Sequence, residues 1–165
     1  MSKAAKQSQL QIRVTEAEKA AIRSGAERAG MDMSAYVLAR VLPSAAGEFQ
    51  AAVRALLAPA APSFALADLN SLLSNLNATE LREAVAAFPD VDLSPFLANY
   101  VAALVESACA KKVIALPSWT GRIPLLEEPA FGSKLASMRL HLLTNSPPPF
   151  RRRNIFIDSS LGDRV

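Results

Sequence analysis

The first informative stretch of the chain alternates strictly between apolar and polar residues. The apolar positions are Leu10, Ile12 and Val14, and the polar positions between them are Gln9, Gln11 and Arg13. Successive side chains of a β-strand point to opposite faces. The pattern therefore predicts a strand with one apolar face and one polar face.

A helix is predicted directly after this strand. Thr15 and Glu18 have the spacing of a capping box, in which a hydroxyl and a carboxylate satisfy the free backbone groups of a helix start. The helix should begin at about Glu16. It should end at Gly30, because glycine readily adopts the left-handed conformation that closes many helices.

A second helix is predicted from Ala35 to Leu42, with Ser34 as its N-cap and Pro43 closing it. It is apolar on most sides, which indicates that it is buried. One strand and two helices cannot bury a stable core alone, whereas two chains can pair their strands over four shared helices. The predicted dimer core consists of Leu10, Ile12, Val14, Ile22, Tyr36, Val37 and Val41.

Residues 9–42 resemble the ribbon-helix-helix fold of the Arc and MetJ repressors and of many bacterial antitoxins. The resemblance rests on the alternating strand, the Thr-x-x-Glu helix start, the glycine that closes the first helix and the Ser34-Ala35-Tyr36-Val37 opening of the second. It covers about a fifth of the chain. It implies a homodimer that binds double-stranded operator DNA.

The polar strand face is the candidate base-reading surface. A paired ribbon would present Gln9, Gln11 and Arg13 of both chains to the major groove. Glutamine can pair with adenine there, and arginine with guanine. The alternative is an ordinary solvated strand face.

Phosphate contacts are predicted at the start of the second helix, from Ser34 and the backbone amide of Ala35. Lys3 and Lys6 lie in an N-terminal arm that could add salt-dependent contacts to the DNA backbone. The alternatives are a plain helix cap and a tail without a role.

The rest of the chain is predicted to be mostly helical. Residues 43–62 should form a helix capped by Ser44 and a proline-rich linker, and residues 63–116 an acidic helical region. Within that region we expect helices over 64–76, from a cap at Thr79 to Phe88, and from Pro95, with Ser94 as its cap, to about residue 112. Residues 117–165 should be proline-rich and largely irregular, with one helix at about 133–143. The fold class is thus mostly α, with the DNA-binding domain at 1–42.

The basic C-terminal segment is predicted to bind a protein partner, because it mixes arginines with apolar residues. Its candidate contacts are Phe150, Arg151, Arg152, Arg153, Ile155 and Phe156. Two alternatives stay open. The segment could pack on this protein's own helical region, or it could make a second contact with nucleic acid.

Charge divides the chain into three parts. Residues 1–42 carry a balance of +3, residues 43–110 a balance of −5 and residues 111–165 a balance of +5. Basic ends suggest an anionic partner, most simply nucleic acid.

Catalytic and metal chemistry have few candidate residues in the 165-residue chain. The one cysteine, Cys109, excludes an internal disulfide, and the one histidine, His141, offers no zinc cluster. Asp90 and Asp92 are interpreted as loop residues. We therefore expect no enzyme, metal or cofactor. The apolar runs are too short for a membrane span, which favours a cytoplasmic protein.

The resemblance, together with the two-part layout of the chain, implies an antitoxin that represses its own operon as a dimer and neutralises a toxin encoded nearby through its C-terminal region. The alternative is a stand-alone repressor or a plasmid-partition-type DNA-binding protein, whose C-terminal region senses a ligand or assembles oligomers.

Overall fold

The computed structural model describes residues 11–41, 43–58 and 62–158. The chain divides into two compact units, an N-terminal unit of residues 1–43 and a C-terminal unit of residues 44–165. Several predicted site residues lie outside the described residues: Lys3, Lys6, Gln9 and Leu10.

The N-terminal unit contains helices α1 (Glu16–Arg28) and α2 (Met33–Val41). The predicted capping box is confirmed: the Glu18 amide donates to the Thr15 hydroxyl at 3.3 Å, and the Thr15 amide donates to the Glu18 carboxylate at 2.8 Å. These bonds hold the pKa of Glu18 below its ordinary value, because Thr15 stabilises the ionised form. Residues 11–14 form no strand in the single chain, so the predicted ribbon is not confirmed by the strand arrangement.

The end of α1 follows the prediction. Gly30 has a φ of 63°, in the left-handed region. Its amide donates to the Glu27 carbonyl at 3.1 Å, and the Met31 amide donates to the Ala26 carbonyl at 3.0 Å. These two bonds form a Schellman motif, which turns the chain sharply toward α2.

The C-terminal unit is built mainly of short helices. They are α3 (Ala45–Ala55), α4 (Pro62–Asn75), α5 (Ala78–Ala84), α6 (Pro95–Lys111), α7 (Arg139–Asn145) and α8 (Pro148–Arg152), with single 3-10 turns at Thr120–Arg122 and Ala136–Met138. Strands β1 (Ala130–Phe131) and β2 (Ile155–Phe156) pair in parallel.

Helix α6 lies at the centre of the core of this unit, because residues 101–105 are all buried. Helix α3 adds Phe49 and Val53, both fully buried. Residues 43–62 were predicted as a separate helix and linker; of these, the described residues 44–58 belong to the C-terminal unit, and α3 contributes to its core.

Two of the predicted caps in this unit are confirmed and one is wrong. Ser44 caps α3 and Ser94 caps α6. Helix α5 is capped by Asn77 rather than Thr79, since the Asn77 side chain accepts from the amides of Thr79 and Glu80 at 2.9 and 3.0 Å. Asparagine is at least as good a cap as threonine, and here it forms a full capping box with Glu80.

The C-terminal segment is more ordered than predicted. Residues 148–152 form a helix and residues 155–156 a strand, and the helix expected at 133–143 begins only at Arg139. The three prolines at 147–149 permit helix α8, because proline fits the first turn of a helix, where its missing N–H is not needed. Within the described ranges, no helix has the length and apolar character needed to cross a membrane.

Candidate nucleic-acid interface

The predicted base-reading residues that the structure describes are open to solvent. Gln11 and Arg13 are both exposed, in the segment directly before the N-cap of α1. The capping box at Thr15 fixes the start of α1, and these two residues lie directly before that helix start. They are free to contact a ligand.

The apolar residues of the same segment are also exposed, which is costly in a single chain. The exposed fraction is 58% for Ile12 and 43% for Val14. Helix α2 is also open to solvent: none of its residues is buried, and Val41 is 67% exposed. Large apolar residues exposed in such number are typical of a protein–protein interface. The N-terminal unit therefore has the exposed apolar surface that a second chain would cover.

Close packing joins the two helices of this unit. A Cβ added at Gly25 would fall 2.5 Å from the Tyr36 hydroxyl oxygen, so only glycine lets the Tyr36 ring lie against α1. The Arg40 guanidinium lies over the Tyr36 ring, 5.3 Å from its centre. The predicted core residues Ile22, Tyr36 and Val37 are half-buried.

The start of α2 differs from the prediction. Asp32, not Ser34, is the cap: its carboxylate accepts from the Ala35 amide at 2.8 Å, and its carbonyl accepts from the Tyr36 amide at 2.9 Å. The Ala35 amide, predicted to bind phosphate, is thus already occupied. Among the described residues, the amides of Met33 and Ser34 make no hydrogen bond, so they are the donors left for a phosphate.

Sequence reasoning missed Asp32 and Gly25. Asp32 was visible as a good cap residue three positions before Ala35, but Ser34, two positions after Asp32, was an equally good candidate, and spacing alone does not decide between them. Gly25 lies inside a helix, where glycine costs stability, and that unfavourable choice was the available sign of a close contact.

Within residues 11–41, five cations of the N-terminal unit are exposed: Arg13, Lys19, Arg23, Arg28 and Arg40. Four exposed acids accompany them: Glu16, Glu18, Glu27 and Asp32. Individual cations can contact DNA phosphates in a salt-dependent way, whereas the near balance of charge over the described residues gives this unit no strong long-range field. The described residues hold no group of three or more His, Cys, Asp or Glu side chains that could bind a metal ion.

The predicted partner-binding residues divide into two sets. Phe150, Arg153 and Ile155 are buried inside the C-terminal unit, which matches the alternative of packing on the protein's own helices. They are not available to a partner in this fold. Arg151 and Arg152 are exposed, and their partner-binding role stays a prediction. Phe156 is half-buried and stacks on Phe131, with their ring centres 5.1 Å apart.

Arg153 is held by a polar network in the core. Its guanidinium donates to the Asn99 side-chain oxygen at 3.0 Å, to the Thr120 carbonyl at 2.8 Å and to the Glu106 carboxylate. The Asn99 amide in turn donates to the carbonyls of Pro95 and Pro124, both at 2.9 Å. This network ties α6 to the C-terminal segment. An asparagine within the apolar sequence of α6 was the one sequence sign of it.

A scan against protein families finds one match for this region. Residues 4–45 match the model of the NikA-like family, described as mobilization protein NikA, whose members have the ribbon-helix-helix fold. The match covers about a quarter of the chain. No curated protein and no solved structure matches the chain. Residues 4–45 are thus similar in sequence to DNA-binding regions of the ribbon-helix-helix type.

Proposed function

We propose that this protein is a homodimeric, sequence-specific DNA-binding protein that uses its N-terminal unit as a ribbon-helix-helix module. Two copies would pair residues 9–14 as an antiparallel ribbon and cover the apolar surface of α2. Gln11 and Arg13 would then read base edges in the major groove. The amides of Met33 and Ser34 would hold a phosphate on each side.

The observation that carries this proposal is the exposed apolar surface of the N-terminal unit. Ile12, Val14 and Val41 stay open in the single chain, while the polar residues Gln11 and Arg13 alternate with the first two. A second copy accounts for both features at once, because it buries the apolar face and doubles the polar one. The family match over residues 4–45 supports the same interpretation independently.

The direct test is to select the preferred DNA from a random library with the full-length protein and then measure binding of variants to it. We expect a site with two related halves, since a symmetric dimer reads symmetric sequence. Replacing Arg13 by alanine should cost about 1–3 kcal/mol of specific binding, the usual loss for one good base contact.

The matched control is Arg82→Ala, which removes an exposed arginine from α5 in the C-terminal unit. It should leave the affinity for the preferred site unchanged. Equal affinity of Arg13→Ala and the unaltered protein for this site would show that the ribbon does not read the bases.

A role in DNA mobilization is the second candidate, favoured by the description of the matching family. It uses the same DNA-binding surface for a different purpose. The two candidates separate in cells: a repressor variant with Arg13→Ala should raise expression of a reporter that carries the preferred site. A mobilization protein with the same change should instead lower the transfer of a plasmid that carries this site.

The antitoxin role predicted from the sequence rests on the resemblance and on the two-part layout of the chain. The family match supplies DNA binding and no toxin. Co-expression with the product of the neighbouring gene, followed by a growth assay and a pull-down, tests that role. Rescue of growth together with a stable complex would support the antitoxin role. The absence of both would contradict that role and leave the proposed DNA binding untouched.

A further inference from the structure

The C-terminal unit contains a cleft that the DNA-binding function does not use. It lies between α4, α6, α8 and the two short strands, and it encloses a volume of about 400 Å³. Clefts of roughly 300–1,000 Å³ are typical of small-molecule sites. Its size therefore fits a compact organic ligand.

The walls of the cleft are apolar and rich in aromatic rings. Tyr100 stands between Phe96 and Phe150, with ring centres 5.7 and 5.1 Å away and the Phe150 ring edge-on. Phe131 lines another part of the cleft, and its ring stacks on Phe156. Aromatic walls favour an aromatic ligand, because rings gain energy from stacked and edge-to-face contacts beyond the burial of area.

None of the described residues that line the cleft has a charged side chain. A charged ligand would lose its hydration there without gaining an ion pair, and that loss is large in apolar surroundings. Arg139 lies over the ring of Phe131, 5.3 Å from its centre, but it is not part of the lining. The cleft thus selects for uncharged molecules.

Three polar side chains in the lining lack partners of their own. The Tyr100 hydroxyl, the Ser63 hydroxyl and the Asn70 carboxamide make no side-chain hydrogen bond within the part of the chain that the structure describes. The Tyr100 hydroxyl is protonated at neutral pH, as in any tyrosine with an ordinary pKa, and burial raises this pKa further. It can therefore both donate and accept a hydrogen bond. Polar groups in an apolar cleft are the usual means of orienting a ligand.

Gly132 keeps one side of the cleft open. A Cβ at this position would fall 3.2 Å from Cγ2 of Ile157, which also lines the cleft. The Gly132 amide donates to the Phe156 carbonyl at 2.8 Å and extends the pairing of β1 with β2. A larger residue would crowd Ile157, and the glycine therefore preserves the shape of this wall.

We infer that this cleft binds an uncharged aromatic small molecule that carries at least one hydrogen-bonding group. The rings of Phe96 and Tyr100 supply the stacking surface, and the buried Phe150 ring supports Tyr100 from behind with an edge-on contact. The Tyr100 hydroxyl supplies the hydrogen bond, with Ser63 and Asn70 as further polar contacts. This site is independent of the proposed DNA-binding surface.

The test uses two fluorescent probes with nearly the same aromatic frame. N-phenyl-1-naphthylamine is uncharged and has one N–H donor, whereas 1-anilinonaphthalene-8-sulfonate adds a fixed negative charge. Titrated into the full-length protein, the uncharged probe should show saturable binding of one molecule per chain. The affinity for the sulfonate should be lower by roughly tenfold or more.

Two variants locate the bound probe. Ala67→Trp places a large side chain in the cleft and should reduce the affinity for the uncharged probe roughly tenfold or more. Its control, Ala51→Trp on the exposed face of α3, should change the affinity little. Tyr100→Phe keeps the ring and removes the hydroxyl, so it should weaken binding by about fivefold, the worth of one hydrogen bond.

The inference is overturned by any of three results: no saturable binding of the uncharged probe, equal loss in Ala67→Trp and Ala51→Trp, or equal affinity for the two probes. A probe signal per chain that falls as the protein concentration rises would also overturn it, because a second copy of the chain would then cover the cleft. If Ala67→Trp does not fold, the probe pair and Tyr100→Phe still decide the question.

Discussion

The two units of this protein use their apolar residues in opposite ways. Within residues 11–41 of the N-terminal unit, Gly25 and Ala26 are the buried residues, and the large apolar side chains are exposed or half-buried. The C-terminal unit instead buries large side chains such as Phe49, Leu69 and Val101 completely. Burial of apolar surface is the main source of folding stability. The first unit is thus incomplete as a single chain, whereas the second has a core of its own.

The largest expected effect concerns the apolar face of the N-terminal segment. Ile12→Asp would place a charge in the interface that a second copy is expected to form, where a buried unpaired carboxylate is very unfavourable. We expect loss of the dimer and of DNA binding, with the C-terminal unit still folded. Sedimentation and DNA titration measure the two losses. A variant that stays dimeric and binds DNA as before would reverse the assigned faces of the strand.

A second large effect should be confined to the C-terminal unit. Arg153→Ala would leave the Glu106 carboxylate without its partner and Asn99 without a donor, and breaking a buried ion pair costs about 3–5 kcal/mol. Urea unfolding should show this loss, while the neighbouring exposed Arg152→Ala should change stability by roughly 0.5 kcal/mol or less. Similar losses for both variants would mean that the network does not hold the C-terminal segment.

The smallest expected effect separates helix capping from DNA binding. Asp32→Asn keeps a good cap for α2 but removes a negative charge beside the amides of Met33 and Ser34. Affinity for DNA should rise a few-fold, since a charge about 4 Å from another is worth about 1 kcal/mol in water. Helix stability should fall slightly, because a carboxylate is favourable at a helix start. Unchanged or weaker DNA binding would place the phosphate elsewhere.

In both units the sequence predicted local features better than features that depend on a distant partner. Helix boundaries near Thr15, Gly30, Ser44 and Ser94 were predictable, because caps are local and depend on residues three or four positions apart. The strand of residues 9–14 stays a prediction, since a strand is completed only by a partner that is distant or on another chain. Local rules were sufficient wherever the structure is local.

Long-range contacts explain what the sequence did not reveal. The arginines at 151–153 look alike in sequence, yet Arg153 alone is buried, because Asn99, Glu106 and Thr120 meet it from distant parts of the chain. The parallel pairing of residues 130–131 with 155–156 likewise joins segments that show no alternation. The cleft in the C-terminal unit is formed by these same contacts, and no sequence pattern indicated it.

The most direct test of the central difference between the units is equilibrium unfolding at several protein concentrations with two signals. Trp119, the one tryptophan of the chain, is buried in the C-terminal unit and donates to the Val85 carbonyl at 2.7 Å, so its fluorescence reports that unit. Far-ultraviolet circular dichroism reports the helices of both.

A tenfold rise in concentration stabilises a dimer by about 1.4 kcal/mol per dimer. We expect part of the circular dichroism transition to move to higher denaturant as the concentration rises, while the Trp119 transition stays in place. A single transition seen by both signals and independent of concentration would contradict this expectation.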